Sequence, residues 1–340
     1  MGVKARTCLL ALSLLAGCRG EPSGAALVQA FRRDGLRRTA DLVRKNRGRY
    51  VKARDRALDY LDRLAVDPVA LRAEGLKGKK KLVELLDAYV ALHRHVRGPL
   101  RERIAERFRR AAAVTSRPEY HDLGTADERQ LHQDATSYLR ALYLMDRMGL
   151  DTRSYRREVR KIKARLDRHI ASRGSHQRMA FAWYYRHLGL QLPSSLDPSA
   201  RSLIASRPNP YLLDRARAYQ LTHEIFVPFD FGGKLDAHPF DARTRAYLRH
   251  AVAVLTTVFM ARRDVDLVGE LLTCMRYLGD HDQRVFRDGL HFLLSSQRPS
   301  GAFGNYERLR PKLGDRVEVG LYLHTTSVAM DILPLAFEER

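Results

Sequence analysis

Leu142-Tyr143-Leu144-Met145-Asp146-Arg147-Met148-Gly149 is an apolar run interrupted by one charged pair and closed by glycine, and its form returns twice. Trp183-Tyr184-Tyr185-Arg186-His187-Leu188-Gly189 and Cys274-Met275-Arg276-Tyr277-Leu278-Gly279 repeat it, and Phe231-Gly232 supplies a fourth stop. Apolar residues at three- and four-residue spacing describe an amphipathic helix. A glycine directly after one takes the left-handed closing conformation without steric cost. Glycines 149, 189, 232 and 279 lie 40, 43 and 47 residues apart, which is one helical hairpin per repeat. Second helices are expected at roughly 153–171, 197–206, 241–260 and 283–296. Two-helix units of this length either stack as a solenoid or close into an α/α toroid.

Outward from the repeat, residues 22–46, 50–65, 80–95 and 98–114 carry the same helical spacing with charged faces between. No stretch alternates as a strand would, so the chain is expected to be all-α. The expected organisation is a basic helical region over 18–114, a linker over 115–128, and helical hairpins forming a complete or incomplete toroid over 129–340. Phe226-Val227-Pro228-Phe229-Asp230-Phe231-Gly232-Gly233 cannot continue a helix past Pro228. It is expected to fold over one end of the barrel, as a plug or as a cover to a cavity mouth.

Gly289-Leu290-His291-Phe292-Leu293-Leu294-Ser295-Ser296-Gln297-Arg298-Pro299-Ser300-Gly301-Ala302-Phe303-Gly304 resembles the QW motif of the terpene-cyclase and protein-prenyltransferase toroids, with Phe303 in place of Trp. In physical terms the Gln side chain ties a helix end to the next turn, the Gly permits the bend, and the aromatic ring packs beneath. The match spans about sixteen residues and occurs once. What the resemblance implies is an architecture and not an activity.

If 241–260 and 283–296 are outer helices, the inner ones fall near 209–226, 265–279 and 319–336, and inner helices line the central cavity. His223 lies on the first, Glu270 and Cys274 one turn apart on the second, and His324 on the third. Imidazole, thiolate and carboxylate are the ligand types of zinc, and three of them with an open position make a catalytic site. His223, Glu270, Cys274 and His324 are the candidate metal ligands. Without a metal, His223, Glu270 and His324 are the acid–base candidates.

This set resembles the zinc site of protein prenyltransferase beta subunits, which uses an Asp, a Cys and a His in a Tyr-His-Thr context. Tyr322-Leu323-His324-Thr325 carries one inserted residue, and Asp266 and Cys274 stand eight apart where that family has two. Prenyl transfer itself is therefore not expected. Asp264-Val265-Asp266 resembles the start of the acid motif of type II terpene cyclases, but Leu267 takes the place of its last Asp. Capping of the helix start accounts for either aspartate. Asp134 and His176 are further residues expected to point inward, and His121, His281 and His291 are expected in loops or on outer faces. Trp183, Tyr184 and Tyr185 suit a core or a cavity wall.

The N-terminus bounds the function. Lys4 and Arg6 precede the apolar run Leu9 to Leu15, too short to span a bilayer and followed by small residues. This is the pattern of an export signal. Leu15-Ala16-Gly17-Cys18 resembles the lipobox of bacterial lipoproteins, which implies a signal over 1–17 and acylation of Cys18. A lipoprotein cysteine carries enough acyl chains for stable anchoring. Arg19 is not the aspartate that retains such proteins at the inner membrane, which favours the outer one. Cys274 is then left without a disulfide partner.

The net charge is +22 among 340 residues, with the excess concentrated before residue 110 and densest at Lys77, Lys79, Lys80 and Lys81. An exported chain has little access to nucleic acid. The basic third therefore points to anionic lipid or acidic glycan, or serves only to solvate helices. Two functions fit the sequence. One is an envelope enzyme with a cavity site for metal-assisted or acid–base chemistry on a glycan or other envelope substrate. The other is a non-enzymatic envelope binding or scaffold protein that uses its helical repeats.

Overall fold

The computed structural model describes residues 38–64, 78–236, 238–314 and 316–333. The segment expected to be a signal, the expected lipobox with Cys18, and Lys77 lie outside them. The described residues are all-α, 72% helical and without strands. In chain order the helices are α1 (Thr39–Lys45), α2 (Arg47–Arg63), α3 (Gly78–His95), α4 (Gly98–Ala112) and α5 (Glu128–Arg147). There follow α6 (Arg153–Lys161), α7 (Lys163–Ala171), α8 (Ser175–His187), α9 (Leu203–Ser206) and α10 (Arg215–Phe226). The last five are α11 (Ala242–Ala261), α12 (Val265–Tyr277), α13 (Arg284–Ser295), α14 (Arg310–Leu313) and α15 (Leu323–Ile332). No helix among the described residues is long and apolar enough to cross a membrane.

Local sequence sets the helix ends. Asp127, Asp214, Asp241 and Asp264 each accept a hydrogen bond from a backbone N–H in the first turn of α5, α10, α11 and α12. Each such cap contributes about 1 kcal/mol. At the other ends Gly149, Gly189 and Gly279 take positive φ. The residue after each returns its N–H to a carbonyl five positions back, Leu150 to Met145, Leu190 to Tyr185 and Asp280 to Met275. The repeated apolar-run-plus-glycine form is thus one helix stop used three times.

Packing follows from which helices are apolar all round. On α3 the residues from Leu82 to Leu92 are buried except Asp87, and on α12 every residue from Val265 to Met275 is buried. Such helices must be surrounded. The helices touch in a closed cycle, α3 to α5, α5 to α8, α8 to α10, α10 to α12, α12 to α15, and α15 back to α3. A second layer packs outside: α2 on α15, α4 on α3, α7 on α5 and α8, and α11 and α13 on α12.

This arrangement differs from the expected domain plan. Helix α3, assigned to a separate basic region, is a member of the closed cycle. The expected linker over 115–128 carries Thr115, Tyr120, Leu123 and Ala126 into the interior. One hydrophobic core runs from Val43 to Leu333. The lysine cluster is no surface patch either. Lys79 is buried against Asp122 and Asp134, Lys81 is buried against Glu84, and Lys80 alone of these three is exposed, though it too reaches Glu84 and lines the cavity described below.

The segment around Gln297 ties the turn after α13 to α2. Gln297 Nε2 donates to the Gly301 carbonyl at 3.0 Å, and also to Ala53 O of α2 at 2.7 Å. Phe303 packs beneath, fully buried. Gly301 has φ +96°, and a Cβ there would sit 2.0 Å from Arg56 O. The turn therefore needs glycine both for its backbone and for the approach of α2. His291, expected on an outer face, is buried on α13.

Candidate functional site

The six helices of the cycle enclose a cavity of about 390 Å³, and each of them contributes to its wall. Glu84 comes from α3, Arg140 from α5, His176 from α8, His223 from α10, Glu270 from α12 and His324 from α15. Chemistry-bearing side chains from the whole length of the chain therefore meet in one space.

His324 is the centre of the polar wall. Its Nδ1 lies 3.1 Å from Glu84 Oε1, and its Nε2 lies 3.3 Å from Asp266 Oδ1 and 3.8 Å from Glu270 Oε1. Burial opposes charge on the imidazole, but the carboxylates of Asp266 and Glu84 outweigh it, with hydrogen bonds to Glu270 and Glu84. The His324 pKa is held well above the usual histidine value. Burial likewise pushes the Glu84 carboxyl up, and His324, Lys81 and Lys80 outweigh it, bringing it to about 2. Asp266 moves the other way. Its burial and the nearby Glu270 and Asp264 carboxylates raise it against the pull of His324 and Arg215.

Each carboxylate is also held from behind. Thr222 Oγ1 donates to Glu270 Oε2 at 2.6 Å, and Arg215 Nη2 donates to Asp266 Oδ2 at 3.0 Å. Burial would raise Glu270, yet His223, His324 and the Thr222 hydroxyl lower it overall. Asp266 Oδ1 and Glu84 Oε1 are both buried and are met by the His324 imidazole.

His223 sits beside this group. Its Nδ1–H donates to the Tyr219 carbonyl one turn back at 3.0 Å, and the same nitrogen lies 3.6 Å from Glu270 Oε2. With the proton on Nδ1, the lone pair belongs to Nε2. Burial lowers the His223 pKa more than Glu270 raises it, which keeps the ring neutral. The ring lies against Tyr219 and Phe226 and meets His176 edge-on. His176 is itself lowered to about 4, by burial and then by His223.

The structure thus brings three of the four sequence candidates into one region: His223, Glu270 and His324. Cys274 stands apart. Its thiol is fully buried and donates to Thr222 O at 3.8 Å. Burial and Glu270 push the thiol well above its usual value, the opposite of what a thiolate ligand needs. The place expected for Cys274 is filled by Asp266, whose carboxylate converges with Glu270 and His324. The capping role falls to Asp264, which accepts from Leu267 N. Glu84 was not in the expected set, because its helix read as part of a basic surface region. Asp134 points away from the cavity to Lys79, whereas His176 lines it.

The rest of the wall mixes arginines and aromatic rings with the carboxylates of Asp87 and Asp331 and with small polar and aliphatic side chains. The Arg140 guanidinium pairs with Asp87 and lies 4.1 Å over the Phe231 ring, which stacks on Tyr184. Arg94 donates to the Phe231 carbonyl at 2.7 Å. The breaker-rich segment 226–233 therefore forms part of the cavity wall through Phe226, Val227 and Phe231, while Phe229 packs into the core. Asp230 and Phe231 both take positive φ there.

No curated protein and no solved structure matches the chain. A family model described as a domain of unknown function (DUF6895) matches residues 50–331. That span takes in Glu84, His223, Asp266, Glu270 and His324, and the chain belongs to this family.

Proposed function

We propose that this protein is an exported envelope enzyme, tethered through acylated Cys18, whose helical cycle is an α/α toroid with a single cavity site. The observation that carries the reading is the meeting of His223, Glu270, His324 and Glu84 on the wall of one cavity enclosed by six helices. A concave space with a few convergent polar groups is the ordinary form of a small-molecule site. His223, neutral and with its lone pair on Nε2, is the base, and the carboxylate–imidazole group around His324 polarises the substrate. Zinc is the cofactor that suits these ligand types. Arg94 and Arg140 with the Tyr184 and Phe231 rings suit a substrate with an acidic group and a ring face, which supports an acidic glycan. Leu15-Ala16-Gly17-Cys18 supports the tether, and Arg19 supports the outer membrane.

The test is incubation of the full chain with acidic oligosaccharides from bacterial envelopes, with products read by mass spectrometry. Turnover that is lost in His223→Ala and retained in Cys274→Ser supports the reading. Binding of these oligosaccharides without any turnover would leave the protein a non-enzymatic binder.

A further inference from the structure

We propose that Asp266, Glu270 and His324 are the ligands of one divalent transition-metal ion, with zinc as the ion they fit, and that Glu84, Thr222 and Arg215 are its outer shell. The proposal deepens the cavity-site reading by naming a ligand set that lacks Cys274. Metal binding itself is measured without reference to catalysis.

One donor atom from each of the three residues lies within 4.8 Å of the other two. Zinc holds nitrogen and oxygen at about 2.0–2.2 Å in a tetrahedron, which sets its ligand atoms roughly 3.3–3.6 Å apart. His324 Nε2 stands 3.3 Å from Asp266 Oδ1 and 3.8 Å from Glu270 Oε1. Both carboxylates are therefore already near ligand spacing from the imidazole nitrogen.

Asp266 is 6% exposed, and its buried Oδ1 makes no hydrogen bond and is met only by the His324 imidazole 3.3 Å away. A buried carboxylate oxygen needs a partner, and an ion between Oδ1 and Nε2 would serve both atoms.

Each donor is also held from behind. A metal-bound histidine gives its other ring N–H to a carboxylate, and Glu84 Oε1 stands 3.1 Å from His324 Nδ1. Metal-bound carboxylates are themselves hydrogen-bonded. Thr222 holds the second oxygen of Glu270, and Arg215 holds that of Asp266. All three ligands thus present one atom to a shared point and have the other fixed. Glu270 and His324 line the cavity, so the fourth position faces the space where water or substrate enters.

The experiment is titration of the chelator-treated full chain with Zn²⁺ by calorimetry, with Co²⁺ as a spectroscopic probe. The expected result is one equivalent bound, visible Co²⁺ bands of low-symmetry coordination, and no sulfur-to-cobalt charge-transfer band. Asp266→Asn, Glu270→Gln and His324→Ala should each weaken binding at least about hundredfold, with helicity checked by circular dichroism. Cys274→Ser should leave it unchanged. Absence of stoichiometric binding in the wild type would falsify the site. Equal affinity in folded Asp266→Asn, or a thiolate band lost in Cys274→Ser, overturns the ligand set. Stoichiometric zinc in a protein that turns over no glycan leaves the site standing and removes the enzymatic reading alone.

Discussion

Glu84 Oε1 and His324 Nδ1 lie 3.1 Å apart, joining the first helix of the cycle to the last. The contact fixes the imidazole so that Nε2 faces Asp266 and Glu270. In Glu84→Gln the amide retains the shape and loses the charge. Zinc affinity is expected to fall about ten- to hundredfold, the usual effect of removing an outer-shell partner. One equivalent should still bind in competition titration; unchanged affinity would show that Glu84 does not orient the ring.

Asp134 gives a pH-dependent expectation away from the cavity. Burial raises its carboxyl to about 6, against the pull of Lys79 and with Asp122 adding to the rise. Its unfolded value is near 3.8. The folded state therefore prefers the neutral acid, and stability contributed below pH 3.8 is lost as pH rises towards 6. Asp134→Asn mimics the neutral acid. It should stabilise the protein at pH 7 by on the order of 1 kcal/mol, discounted for partial solvent screening. The gain should vanish below pH 4 in urea melts. A loss of stability at pH 7 would mean that the Lys79 ion pair outweighs burial.

Gly301→Ala tests the seam between α2 and the turn after α13. The Cβ would meet Arg56 O at 2.0 Å on a backbone with φ +96°. Strain of about 1–2 kcal/mol for the left-handed conformation adds to the cost of moving α2 away. A loss of at least roughly 3 kcal/mol is expected by chemical denaturation. Gly149→Ala, with the same sign of φ but no atom within 4 Å, should lose only the strain.

Cys18→Ser tests the tether. Membrane fractionation with labelled fatty acid should show the label in the wild type and none in the variant. A labelled Cys18→Ser protein would place the acyl group elsewhere.

Much of the fold is legible in the sequence, because helix stops are local. Glycine at 149, 189 and 279 ends a helix whatever surrounds it. The boundaries of α3 and α4 also follow from Gly78, Gly98 and Pro99. The role of α3 is not legible in that way. Lys79, Lys80 and Lys81 read as solvated charge, and only tertiary contacts show Lys79 and Lys81 buried in ion pairs. The site is half legible. Glu270 and His324 stand out as polar residues on apolar helices. Applying the four-residue spacing backwards from Glu270 reaches Asp266, where the forward step reaches Cys274. Asp266 sits in the first turn of α12, where an aspartate looks like a cap, and it is Asp264 that makes the capping bond.

The closure of the cycle between α3 and α15 has a consequence for how the protein comes into being. A chain delivered N-terminus first presents Glu84 early and His324 near the end, so the cluster has no partial form containing all its members. Pairing of segments so far apart in sequence is slow to nucleate, because loop closure precedes any reward from contact. Until α15 arrives, the apolar faces of α3 and α12 stay uncovered and open to association with other chains. Loss of the last fifteen or so residues of the cycle should therefore cost more than one wall. It should leave an aggregation-prone intermediate instead of a smaller working domain.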